Sequence, residues 1–136
     1  MARTPLDRLI GLVRVLRSPG GCPWDRAQTH VSLIPYLREE CRELEKALRR
    51  GRWHEIEDEL GDVLLQVLLH ARIEEEKGRF GVQDVARSLE IKLRRRHPHV
   101  FGKKRLKSAA DVLRNWDEIK SEERRLRRRD VKSRRL

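Results

Sequence analysis

Two short acidic runs are the first residues that could do chemistry. Glu39-Glu40-Cys41-Arg42-Glu43 and Glu59-Leu60-Gly61-Asp62 each hold two carboxylates three residues apart. In a helix that spacing puts both groups on one face. Glu40 lies between Leu37 and Leu44 on an apolar stripe, and Glu59 and Asp62 interrupt an otherwise apolar stretch. Acids facing a core are costly unless something neutralises them. A hard divalent cation does so, and carboxylate oxygens are the ligands that Mg²⁺ and Mn²⁺ prefer. Acidic pairs on facing helices build such centres inside helical bundles. The competing reading is a solvated acidic face with pairs such as Glu39 with Arg42 or Glu43 with Lys46. A single pair would favour that reading; two matched pairs on adjacent apolar helices favour the metal. Gly61 points the same way. Glycine inside a helix costs roughly 1 kcal/mol relative to alanine, which is tolerable where a helix or a ligand must come close. Glu39 stays open between a second-metal ligand and a surface acid.

The elements that must hold these acids follow from apolar periodicity. Leu6, Leu9, Ile10, Val13 and Leu16 predict a first helix over 5–17, with Pro5 in its first turn. The Ser18–Pro23 segment is a turn-rich loop. A second helix is predicted over 32–50, with Ser32 as N-cap, Pro35 in the first turn and Gly51 as its stop. A third covers 54–77 and ends at Gly78. Val63, Leu65, Leu68 and Leu69 make it apolar nearly all round, so a second subunit is expected to cover part of it. A fourth covers 82–96 and ends before Pro98. A last helix is predicted from Ala109 to about Arg128, with Val112, Leu113, Trp116 and Ile119 making contacts. Its basic end, from Arg124 onward, is expected to fray or be disordered. The fold class is therefore all-α.

The 136 residues fit one domain, assigned to 1–123, followed by a basic tail over 124–136. Charged residues are 40% and aromatics 4%, an unusual balance for a self-contained globule. The net charge of +11 is unevenly placed. Residues 92–107 carry eight Lys/Arg and no acid, whereas residues 37–76 hold twelve acids and seven bases. An acidic centre with basic flanks suits a metal site that must also hold a polyanion. Cys22 and Cys41 show no C-x-x-C or zinc-ligand spacing, so reduced thiols in a cytoplasmic protein are expected. No signal-peptide pattern precedes the first helix, and Val63 to Leu69 is too short to span a bilayer.

Further motifs then fall into a recognisable order. Gly21-Cys22-Pro23-Trp24-Asp25 is followed by Gln28-Thr29-His30, the two acidic pairs, Arg95-Arg96-His97-Pro98-His99-Val100-Phe101, and Trp116 with Lys120. This series resembles the MazG family of nucleoside triphosphate pyrophosphohydrolases over about 6–123. The resemblance implies an all-α bundle completed by dimerisation, as a homodimer or a dimer of dimers. It implies Mg²⁺-dependent cleavage between the α and β phosphates of a nucleoside triphosphate, giving a monophosphate and pyrophosphate. By motif position it implies Glu40, Glu43, Glu59 and Asp62 as metal ligands, and Lys92, Arg95, Arg96, Trp116 and Lys120 as substrate-binding residues.

On that reading water attacks the α phosphorus in line, and Glu39 is one candidate to take its proton. Lys92 and Arg96, four residues apart, share a helix face and suit the β and γ phosphates. Without the resemblance, Trp116 is better read as capping an interface, while spacing leaves Lys92 and Arg96 evenly balanced between phosphate binding and a solvated basic face or nucleic-acid contact. His30, His97 and His99 are read as structural. The rival function is nucleic-acid binding through the basic tail. It is not favoured, because the chain is poor in aromatics for base stacking.

Overall fold

The structure is a computed structural model that describes residues 2–134. Its helices are α1 (Pro5–Arg17), α2 (Pro23–Ala27), α3 (His30–Arg50), α4 (Trp53–Glu76), α5 (Val82–Arg96), α6 (Pro98–Phe101) and α7 (Ala109–Arg134). There is no strand among the described residues. The chain divides into two units, residues 1–85 and 86–136. This is a different division from the expected domain over 1–123 with a separate tail.

In the first unit, α3 and α4 form a hairpin joined through Gly51 and Arg52, and α1 packs on α4. Ile10, Val13, Leu33, Leu68, Leu69 and Ile73 make the core, with Leu9, Leu65 and Val82 packed against it. Gly51 ends α3 at a φ of 71°, a left-handed conformation that suits glycine and turns the chain straight into α4. At the other end of α3, a reciprocal cap sets the register. Thr29 Oγ1 accepts from the Ser32 backbone N–H at 3.1 Å, and Ser32 Oγ accepts from that of Thr29 at 2.8 Å.

That cap corrects two expectations. The N-cap is Thr29 rather than Ser32, so Pro35 falls inside α3 instead of in its first turn. The hydrogen bond that proline cannot donate would have gone to the carbonyl of Val31, a residue that is 75% exposed.

Ion pairs fasten α1 and the loop after it to the end of α4. Arg14 reaches Glu75 and Arg17 reaches Glu76, both at 2.9 Å. The Arg17 side chain is only 7% exposed. Its other nitrogen donates to the carbonyl oxygens of Asp25 at 2.6 Å and Gln28 at 3.1 Å, closing the end of α2. Gly21 is required in this loop, because a Cβ there would collide with the carbonyl oxygens of Val15 and Leu16. His30 Nε2 lies 2.6 Å from Glu74 Oε1, and His30 Nδ1 lies 2.7 Å from His70 Nδ1. This tie between the start of α3 and the end of α4 is the structural role expected of His30.

The apolar surface of α4 is only partly covered within its own unit. Leu68, Leu69, Ala71 and Ile73 are buried, but Leu60, Leu64 and Val67 remain exposed at helical spacing. A Cβ on Gly61 would meet nothing within 4 Å, so of the two approaches expected there, no other helix among the described residues supplies one.

In the second unit α7 runs to Arg134 rather than fraying after Glu123. Arginine is a good helix former, no glycine or proline interrupts 109–134, and basic residues in a last turn complement the helix dipole. Positions 135 and 136 of the expected tail lie outside the described residues. Asn115 is the buried residue of α7 and accepts a hydrogen bond from Lys104 Nζ.

Leu33 has no exposed surface, and it packs in the core that carries the α3–α4 hairpin. Leu33→Ala is expected to destabilise the fold by about 3 kcal/mol, from lost burial and the cavity left behind. A drop in the urea midpoint at fixed protein concentration checks this, and an unchanged midpoint would refute the core assignment.

Candidate functional site

The α3–α4 hairpin brings Glu40, Glu59 and Asp62 together. One oxygen of each lies within 4.8 Å of the others. The register explains this. Glu40 sits seven residues from the core residue Leu33 and from Ala47, which is 1% exposed, and so shares their side of α3. Glu59 and Asp62 lie in the first half of α4, ahead of its buried stretch. All three carboxylates are partly buried. Among the described residues none of them pairs with a lysine or arginine.

The electrostatics match that geometry. Burial raises the Glu40 carboxyl above its usual range, and the charges of Asp62, Glu59, Glu39 and Glu43 raise it further. Glu59 is also raised, first by burial and then by Asp62, Asp58 and Glu43, with a hydrogen bond to Asp62 adding to the effect. Like charges held together without a counter-charge hold protons more tightly. The donor set is all oxygen, which fits a hard divalent cation and not a thiolate-seeking one. Cys41 on α3 is exposed and unpaired.

Glu43 and Glu39 stand apart from the three. Glu43 contributes charge to Glu40 and Glu59, yet its Oε1 pairs with Lys46 Nζ at 3.1 Å. This is one of the surface pairs weighed as the alternative, and Glu43 is not among the three carboxylates that gather. Glu39 is exposed and acts on Glu40 through its charge.

The expected substrate-binding residues lie in the second unit. Two of them, Arg95 and Arg96, meet at one acid. Arg95 Nε donates to Glu123 Oε1 at 2.7 Å, and Arg96 Nη2 donates to Glu123 Oε2 at 2.8 Å. The Arg96 guanidinium lies 5.5 Å from the centre of the Trp116 ring, where a cation meets the face of the π system. His97 packs edge-on against the same ring at 4.8 Å. The Arg96 hydrogen bond, helped by Arg95, holds the Glu123 carboxyl down at about 2 against the opposing effect of burial. Lys92 and Lys120 are half-buried and make no ion pair among the described residues.

Glu123 was not singled out from the sequence. Its signal was there: Trp116, Lys120 and Glu123 fall at i, i+4 and i+7, one face of a single helix.

Comparisons with known proteins show the family. Residues 28–101 match the family described as the MazG nucleotide pyrophosphohydrolase domain, and the chain belongs to that family. It is 50% identical over 117 residues to the nucleoside triphosphate pyrophosphohydrolase/pyrophosphatase MazG of Thermotoga maritima, covering 86% of this chain and 44% of that one. It is 42% identical over 120 residues to the nucleoside triphosphate pyrophosphohydrolase of Escherichia coli strain K12, covering 88% of this chain and 46% of the other. The chain thus spans less than half the length of each relative. The fold is similar to the crystal structure of a MazG-related protein from Thermotoga maritima, with a TM-score of 0.68 at 24% identity, over 85% of this chain and 98% of that one.

Glu123 also sets a pH dependence. Its carboxyl is ordinarily near 4.5 and is held at about 2 in the folded chain. The stability it lends is therefore present above pH 4.5 and is lost as pH falls towards 2. Glu123→Gln should flatten the acid limb over that window. The check is Trp116 fluorescence in a background carrying Trp24→Phe and Trp53→Phe. An equally steep limb in the variant would show that Glu123 is not the group responsible.

Proposed function

We propose that this chain hydrolyses nucleoside triphosphates to nucleoside monophosphate and pyrophosphate, with Mg²⁺, or Mn²⁺, held by Glu40, Glu59 and Asp62. The observation that carries this reading is the three partly buried carboxylates gathered within 4.8 Å with no cationic side chain to neutralise them. Family membership supports the reaction class. Glu43 joins as a fourth ligand once its side chain leaves Lys46; that pair is 41% exposed on the glutamate side, and such surface pairs are weak. A bound divalent ion neutralises phosphate charge and lowers the pKa of a water.

The chain's own side chains do the rest. Glu39, outside the three-carboxylate cluster, accepts a proton from the attacking water. As that water's oxygen bonds to the α phosphorus, the bond to the bridging oxygen breaks and pyrophosphate leaves. Lys92, Arg95 and Arg96 hold the β and γ phosphates, Arg96 through the paired N–H geometry that suits a phosphate. Trp116 offers a flat ring to the base, and Lys120 adds positive charge.

The proposed role is housekeeping of the nucleotide pool in the cytoplasm, performed by a homodimer or a dimer of dimers. Exposed Leu60, Leu64 and Val67 on α4 support a second copy as their cover. No helix among the described residues is long and apolar enough to cross a membrane.

Glu40→Gln, Glu59→Gln and Asp62→Asn keep shape and remove charge. Each is expected to lower Mg²⁺-dependent hydrolysis by at least about 100-fold, the upper end of what even outer-shell partners of a metal are worth. Chelating the metal should abolish the activity of the unsubstituted chain. Chromatographic separation of pyrophosphate from orthophosphate checks the cleavage position, and orthophosphate as the first product would refute it. Wild-type rates in all three variants would refute the metal centre.

A further inference from the structure

The second half of α7 has no part in the proposed chemistry, yet it holds the densest charge in the protein. Residues 124–134 contain seven Lys/Arg and one acid. The helix continues through all of them, and every one is exposed. Two of the arginines are engaged, Arg125 with Glu122 and Arg127 with Glu123 at 3.9 Å. Arg124, Arg128, Arg129, Lys132 and Arg134 make no ion pair among the described residues.

At 3.6 residues per turn, the seven cations cover an arc of about 220° around the helix axis. Leu126, Asp130 and Ser133 fill the remaining side. We propose that this exposed basic half of α7 docks on the phosphate backbone of double-stranded DNA.

Shape and composition favour that occupant over other polyanions. A membrane-surface helix needs a continuous apolar face opposite its cations. Here that side carries one leucine beside an aspartate and a serine, and Val131 falls within the basic arc. A single-stranded nucleic acid is held by aromatic stacking platforms, and residues 117–134 contain no aromatic side chain. Double-stranded RNA has a major groove too deep and narrow for such a helix. The major groove of B-form DNA admits one, with phosphates on both flanks. An arc of about 220° reaches both strands at once, and the eleven residues extend about 16 Å along the groove. The segment lacks asparagine and glutamine, the side chains that read adenine edges. Arginine contacts to phosphate carry no sequence information, so the docking is non-specific. This surface shares no residue with the proposed nucleotide site, so either reading can fail without the other.

The test is a fluorescence anisotropy titration of the full chain against a fluorescein-labelled 20-base-pair DNA of mixed sequence, without Mg²⁺, at 50 to 200 mM KCl. Five phosphates neutralised predict a slope of about −4.5 in log K against log salt, equivalent to about a 500-fold loss over that range. A variant carrying Arg124→Gln, Arg128→Gln, Arg129→Gln and Lys132→Gln should bring the slope to about −1 while leaving triphosphate hydrolysis at its original rate. Arg128→Gln alone, which cannot unfold the helix, should change the slope by about 0.9. Slopes unchanged in both variants would overturn the proposal. So would single-stranded DNA or double-stranded RNA binding as tightly as the duplex, or phosphatidylserine vesicles displacing the duplex at equal phosphate concentration.

Discussion

Crowding three like charges between the two arms of a helical hairpin is the constraint that the rest of the first unit must sustain. Glu40, Glu59 and Asp62 repel one another, and burial removes the water that would screen them. What holds them in place is apolar packing elsewhere. Leu33, Leu68, Leu69 and Ile73 pin α3 to α4 through a core that tolerates little slippage. The connection through Gly51 fixes which turn of α3 faces which turn of α4. Rigid elements that force unfavourable charges together are how a protein prepares a site for an ion, since the strain is relieved only when a counter-charge arrives.

Much of this was legible in the sequence. The apolar stripes gave α1 and α5 at their observed limits, because both begin and end on strong local signals. The paired acids were visible because helical periodicity is robust to small errors in where a helix begins. The start of α3 was misplaced by two residues, since Thr29 and Ser32 cap each other and either could serve alone. The helices α2 and α6 went unseen because five and four residues are too short to show a period. The continuation of α7 was lost for another reason: a run of arginines looks like a solvated tail in composition but carries high helix propensity.

The site itself was less legible than the fold. Spacing put Glu43 beside Glu40 as a ligand, but its side-chain pairing with Lys46 is decided by rotamer competition, which spacing does not encode. The importance of Glu123 was hidden differently. It acts on residues 27 and 28 positions away, and no local pattern reports a contact of that range. Periodicity within a helix is written in the sequence, whereas the partner of a long flexible side chain is settled only after the helices have docked.

The knot around Glu123 has a consequence for how the second unit responds to ligands. That unit has no buried apolar residue among those described, so its helices α5 and α7 lean on Arg95, Arg96 and Trp116 to stay associated. A phosphate that claims Arg96 must take it from Glu123. Occupancy and internal order then draw on the same arginine, and by reciprocity anything that tightens the knot weakens the hold on the ligand. On the proposed reading, such a segment would behave as a spring-loaded latch, firmest when empty, whose release is the work that an incoming phosphate must do.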